Sequence, residues 1–172
     1  VSLGFIELAL ALKFLSNADL VAGWGILKYE LFIILWFIIF LLMSVYLLRG
    51  FIIRLRKFKE FSFFNLSSTI VTFTFSFYLA SGLIFNKETQ SYNALSILSG
   101  LAPPLGYSYN YPKDFPNDLK GFKDLKTGIE HAKKVDKPIL LDFTGYACVN
   151  CRKMEEHVWP LPKVDKLLRD NF

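Results

Sequence analysis

Between Glu30 and Arg49 the chain runs for eighteen residues, LFIILWFIIFLLMSVYLL, without a charge. A stretch of about that length, once helical, is long enough to cross the hydrocarbon core of a bilayer. The run therefore predicts a membrane helix, and everything else in the chain must be arranged around it. Residues 61–86 are likewise free of charge until Lys87, though richer in Ser and Thr. Such hydroxyls can bond their own helix backbone or a neighbouring helix, so a second span is expected here. The opening stretch, VSLGFIELALALKFLSNADLV, is a third candidate that Glu7 and Lys13 interrupt. Lys13 lies near one end, where a long side chain can snorkel to the interface, and Glu7 can pair with a neighbouring helix. A 53% hydrophobic content with 18 Phe and a mean hydropathy of +0.35 is too apolar for a soluble domain and agrees with about three spans. The chain begins at Val1 with no basic segment and no small-residue cleavage site ahead of an apolar core. It reads as an internal piece of a longer protein with no secretory signal in view.

Orientation follows from charge. The loop RGFIIRLRKFKE holds Arg49, Arg54, Arg56, Lys57 and Lys59 against Glu60 alone. A short, membrane-adjacent basic cluster belongs in the cytoplasm by the positive-inside rule, and its hydrophobic flanks argue against a nucleic-acid patch. Residues 87–172, and the loop SNADLVAGWGILKYE with Trp24 and Tyr29 as interfacial aromatics, are then expected on the outer side. In a Gram-negative cell that is the periplasm, an oxidising space.

Residues 87–121 contain Pro103, Pro104, Pro112 and Pro116 among Gly, Ser, Asn and Tyr, with no regular periodicity. They read as an outer linker. A helix is expected from Asp124 as N-cap, with Leu125, Ile129 and Ala132 on one face. Asp136-Lys137-Pro138 turns the chain, and Ile139–Phe143 has the apolar character of a buried central strand. Then comes DFTGYACVNC, with the chain's only cysteines, Cys148 and Cys151. Met154 and Val158 follow Cys151 at helical spacing, so a helix should start near Cys148 and stop at Pro160. Pro162 suits the first turn of one more short helix bearing Val164, Leu167 and Leu168.

The C-x-x-C spacing has several uses. Haem attachment needs His after the second cysteine, and Arg152 stands there. Zinc needs four ligands as a rule, and Cys148, Cys151 and His157 supply three. A permanent disulfide is compatible with an oxidising space, but so small a loop gains little stability from closure. Redox exchange fits best. A cysteine at a helix N-terminus meets unpaired N–H groups and the positive end of the dipole, which favour thiolate. A second cysteine one turn later can close a disulfide with little movement. His131 and His157 read as surface helix residues.

Helix, strand and C-x-x-C helix together open a thioredoxin-like fold. With the trailing spans, the Pro-rich linker and KPILLDFTGYACVNCRKMEEHVW, the chain resembles the DsbD-type transmembrane thiol:disulfide interchange proteins, the cytochrome c biogenesis family. The resemblance implies an α-helical transmembrane segment over 1–86, the end of an electron-conducting domain. It further implies an outer linker over 87–121 and, over 122–172, the N-terminal part of an α/β thioredoxin-like domain. The expected activity is protein-disulfide reduction at a bacterial inner membrane, with no cofactor beyond the redox-active cysteine pair. Electrons would come from cytoplasmic thioredoxin through membrane cysteines that these residues lack, and pass to periplasmic thiol-disulfide proteins; no nucleic acid is involved. The resemblance places Cys148 as nucleophile, Cys151 as resolving thiol, Asp142 as the buried strand acid serving the resolving thiol, and Glu155 as a second acid near the pair. Ala147 stands where thioredoxins usually carry Trp. The alternative from a different class is a membrane-anchored assembly or adaptor segment whose disulfide is structural.

Overall fold

Three long helices, α1 (Ser2–Ala22), α2 (Tyr29–Arg56) and α3 (Phe63–Ser81), make up the first half of the chain in the computed structural model. The structure describes residues 1–56, 63–87, 90–145 and 148–172. Helix α2 lies between the other two and packs against both. Tyr29, Phe32, Ile33, Trp36 and Ile39 are buried on one face of α2, joined by Ala9 and Leu79. Those positions follow the i, i+3, i+4, i+7 rhythm of a helix stripe. The remaining surface stays apolar: Ile34, Ile38, Leu42 and Val45 on α2 and Ile70, Phe73 and Phe77 on α3 are exposed. Water would penalise such a surface and lipid would not.

Two of these helices are long and apolar enough to cross a membrane, over Tyr29–Ile53 and Phe63–Ser81, with mean hydropathy 2.9 and 1.3. Helix α1 has 21 residues, but Glu7, Lys13 and Asp19 interrupt it. The hydroxyls of α3 bond their own helix. Thr69 Oγ1 donates to the Asn65 carbonyl at 2.8 Å, Thr72 Oγ1 to that of Ser68 at 2.9 Å, and Ser76 Oγ to that of Phe73 at 2.8 Å. Each hydroxyl thus brings its own partner into an apolar setting.

Helix α2 continues to Arg56, past the point where the charge pattern predicts a loop to begin at Arg49. Gly50 alone does not stop a helix whose next residues, Phe51 to Leu55, are apolar or strong helix formers. Lys57, Lys59 and Glu60 lie outside the described residues.

The linker is more ordered than its composition suggests. Strands β1 (Phe85–Asn86) and β2 (Ser91–Tyr92) pair antiparallel, and Ser96–Leu98 forms a 3₁₀ turn. Tyr92, Leu95 and Leu98 are buried in the same core as the N-terminal half of α2. Two carboxylates pin the rest. Asp19 accepts hydrogen bonds from the Tyr107 hydroxyl at 2.7 Å and from the backbone N–H groups of Ile26 and Leu27 at 3.0 and 2.9 Å. Glu30 accepts from the Ser108 hydroxyl and from the N–H groups of Tyr109 and Asn110, at 2.9 and 3.0 Å. Proline and glycine set the turns here, while tyrosine, leucine and these acids fix where the turns go. Tyr29 is not an interfacial aromatic: it is buried, stacks on Tyr92, and donates to the Gly82 and Asn93 carbonyls. Trp24 is exposed.

Beyond the linker, α4 (Leu125–Val135) starts at Asp124, whose carboxylate accepts the Thr127 N–H at 2.9 Å, and stops at Asp136 in the left-handed region. Helix α5 (Val149–Lys153) runs on into a π-helical stretch, Met154–Val158, and α6 (Pro162–Asn171) begins with its proline in the first turn. Asp165 of α6 accepts from Asn117 at 2.6 Å and pairs with Arg169 at 3.0 Å. The strand expected over Ile139–Phe143 does not form. Strands need a partner for their N–H and C=O groups, and among the described residues the only ladder is β1–β2. Phe143 is accordingly 89% exposed, and neither α4 nor α6 buries a residue.

Candidate functional site

Cys148 is the N-cap of α5, the place that the local sequence dictates. Its backbone is extended, and its Sγ accepts the N–H of Cys151 at 3.3 Å, so the sulfur occupies the position a capping oxygen usually holds. Cys151, one turn in, is bonded to it: Cys148 and Cys151 form a disulfide with Cα atoms 5.3 Å apart. Both cysteines are half-buried. In the reduced state the same cap geometry offers Cys148 an N–H donor and the helix dipole, both of which stabilise a thiolate. Ala147, beside the pair, lies outside the described residues.

The second feature is a buried cluster one turn further on. Glu155 is 7% exposed and Arg152 is 9% exposed. The Arg152 guanidinium donates to Glu155 Oε1 at 2.7 Å and to Thr144 Oγ1 at 2.8 Å. Burial pushes the Glu155 carboxyl up to about 7, with Arg152 pulling it down and the charges of Asp142 and Glu156 pushing it further up. A carboxyl that titrates near neutrality can hold or release a proton in the working range of a dithiol.

Asp142 was expected as a buried acid on a strand. It is exposed and its segment carries no ladder, because the sheet that would cover it is absent among the described residues. It is nevertheless near enough to act on Glu155 through its charge. The structure thus gathers Cys148, Cys151 and Glu155 on α5 and its π-helical continuation, with Asp142 acting on the same carboxyl through its charge. Asp142, Thr144, Glu155, Glu156 and Trp159 border one open cavity of about 1960 Å³. Among the described residues no three His, Cys, Asp or Glu side chains converge on a metal-sized site. His131 is exposed against the Phe122 ring, and His157 is exposed.

Two participants were missed in the sequence. Arg152 served only to exclude haem attachment, although its i, i+3 spacing to Glu155 is a recognised pairing distance. Glu156 accepts the Ser99 hydroxyl at 2.6 Å, and burial raises its pKa. Nothing local in the sequence links residues 57 positions apart.

Residues 121–172 match a family model described as thioredoxin-like. No curated protein and no solved structure matches the chain. A thioredoxin-like segment with an oxidised C-x-x-C pair at a helix start is equipped for thiol–disulfide exchange, and here it follows helices capable of spanning a membrane.

Proposed function

We propose that this chain is part of a membrane-bound thiol:disulfide oxidoreductase of the DsbD type, working in the reductase direction on the outer side of a bacterial inner membrane. The observation that carries the reading is the Cys148–Cys151 disulfide at the N-cap of α5, within a thioredoxin-like match. In the reduced enzyme the Cys148 thiolate attacks one sulfur of a partner's disulfide. A Cys148–partner bond forms, the partner's S–S bond breaks, and the departing sulfur leaves with the electron pair and takes up a proton. Cys151 then loses its proton and attacks Cys148 Sγ, releasing the partner's second thiol. The pair ends oxidised, as it is in this structure. Glu155, with Asp142 tuning it, is the group in this reading that takes and returns the proton of Cys151. Reducing equivalents for the next cycle come from cytoplasmic thioredoxin by way of membrane cysteines elsewhere in the protein. Periplasmic thiol-disulfide proteins, including those of disulfide isomerisation and cytochrome c maturation, are the recipients.

The test is covalent trapping in the full-length protein. Cys151→Ser should accumulate a mixed disulfide with its partner that dithiothreitol releases, and Cys148→Ser should trap nothing. Absence of adducts in both variants would leave the pair as a structural cross-link in an anchoring segment. Trapping by Cys148→Ser alone would reverse the assigned roles.

A further inference from the structure

The start of the disulfide helix rests on the linker turn next to the membrane helices. Gly100 has φ +79, and a Cβ built there would lie 2.6–2.8 Å from the Cγ1, Cα and Cβ atoms of Val149. Only glycine permits that approach, both for the backbone angle and for the space. Val149 is the residue directly after Cys148. One residue earlier in the turn, Ser99 donates its hydroxyl to Glu156 at 2.6 Å, a second attachment to the same helix on its π-helical continuation. The turn is itself anchored: Leu98 and Ser99 are buried, and the Gly100 carbonyl accepts the Lys13 ammonium at 3.1 Å, while Lys13 also bonds Asn17 at 2.9 Å. A chain of direct contacts therefore runs from α1 through the 98–100 turn to Val149, one of the two residues between the cysteines.

We propose that the Ser99–Gly100 turn is a docking seat for the disulfide helix, and that Ser99, Gly100, Val149 and Glu156 are positioning residues which hold the cysteine pair against the outer end of α1. Seated, Cys148 and Cys151 are half-buried and Val149, 43% exposed, lies against Gly100. Lifted off the seat, the helix N-terminus opens to a thiol approaching along the S–S axis. The seat regulates the cysteine pair assigned above to thiol exchange and rests on that reading for its purpose. Its test reads access to the disulfide by a small reagent, which is independent of whether any protein partner exchanges with it.

The experiment measures the rate at which dithiothreitol reduces Cys148–Cys151 in the whole chain in lipid nanodiscs. Ser99→Ala and Glu156→Ala each remove one neutral-to-carboxylate hydrogen bond, and should raise the rate by up to about fivefold as the lifted form becomes more populated. Gly100→Val should raise it further, and part of that effect should disappear in a Val149→Gly background, which removes the opposing Cγ1 and Cβ atoms and leaves the Cα. Rates unchanged in both Ser99→Ala and Glu156→Ala overturn the proposal. So does an effect of Gly100→Val that is equally large with valine or glycine at position 149, since the Val149 side chain would then take no part in the seat.

Discussion

Glu155 shows how much of the site depends on burial that no local pattern announces. The family resemblance marked it as a candidate, but its position suits a solvated helix face equally. What distinguishes it is 7% exposure beside Arg152 and Thr144, with the pKa lifted to about 7. The sign of the consequence is fixed. Between the ordinary 4.5 and about 7 the folded protein keeps a proton that the unfolded chain gives up. Folding stability from this group is therefore present below 4.5, falls as pH rises through that window, and is level above it. In the exchange reaction, the pH–rate profile should carry an inflection near 7 that Glu155→Gln removes while the thiolate inflection stays. Asp142→Asn should move that inflection to lower pH, because it takes away a negative charge that raises Glu155. Profiles of the same shape in wild type and Glu155→Gln would separate this carboxyl from the chemistry. Cys148, by contrast, was fully legible: an N-cap position and a three-residue spacing are local properties, and they specify both the helix start and the disulfide.

Among the elements, Asp124 caps α4 and Pro162 opens α6 where the sequence placed them, and the charge-free runs hold α2 and α3, although α2 runs on to Arg56 and α3 stops at Ser81. Asp124→Ala should cost about 1 kcal/mol of local helix stability, seen as roughly fivefold faster amide exchange in the first turns of α4. Ile139–Phe143 differs because a strand is a property of two segments, and its apolar run can state a preference without supplying a neighbour. With that segment unpaired and α4 and α6 burying nothing, residues 122–172 expressed alone should show no cooperative thermal transition. A sharp two-state melt would show that the segment supplies its own core. The linker erred in the opposite direction: Pro and Gly count suggested a tether, and long-range bonds to Asp19 and Glu30 made it a cap. Those bonds span 78 to 88 positions, beyond the reach of any window of sequence. Glu30→Ala strips the buried Ser108 hydroxyl and two N–H groups of their acceptor. It should expose residues 104–113 to limited proteolysis that the wild type resists.

At the scale of the whole molecule, apolar helices, a pinned cap and a cysteine pair follow one another along the chain, and in the proposed reading they lead from membrane to outer face. The core that joins them is shared: Tyr92, Leu95 and Leu98 of the linker are buried with Phe32, Ile33 and Trp36 of α2. Orientation rests on the basic residues from Arg49 to Lys59, and the sidedness of the chemistry rests on orientation. Cys148 and Cys151 are the only cysteines in these residues, so with the membrane cysteines of the proposed whole protein replaced by serine they report their own location. The decisive measurement is labelling by a membrane-impermeant maleimide–polyethylene glycol after reduction with a membrane-impermeant phosphine, in right-side-out and in inverted membrane vesicles. An outward-facing exchangeable pair predicts a mass shift in the right-side-out vesicles and none in the inverted ones. Labelling confined to the inverted vesicles would place the cysteines in the cytoplasm and contradict the account.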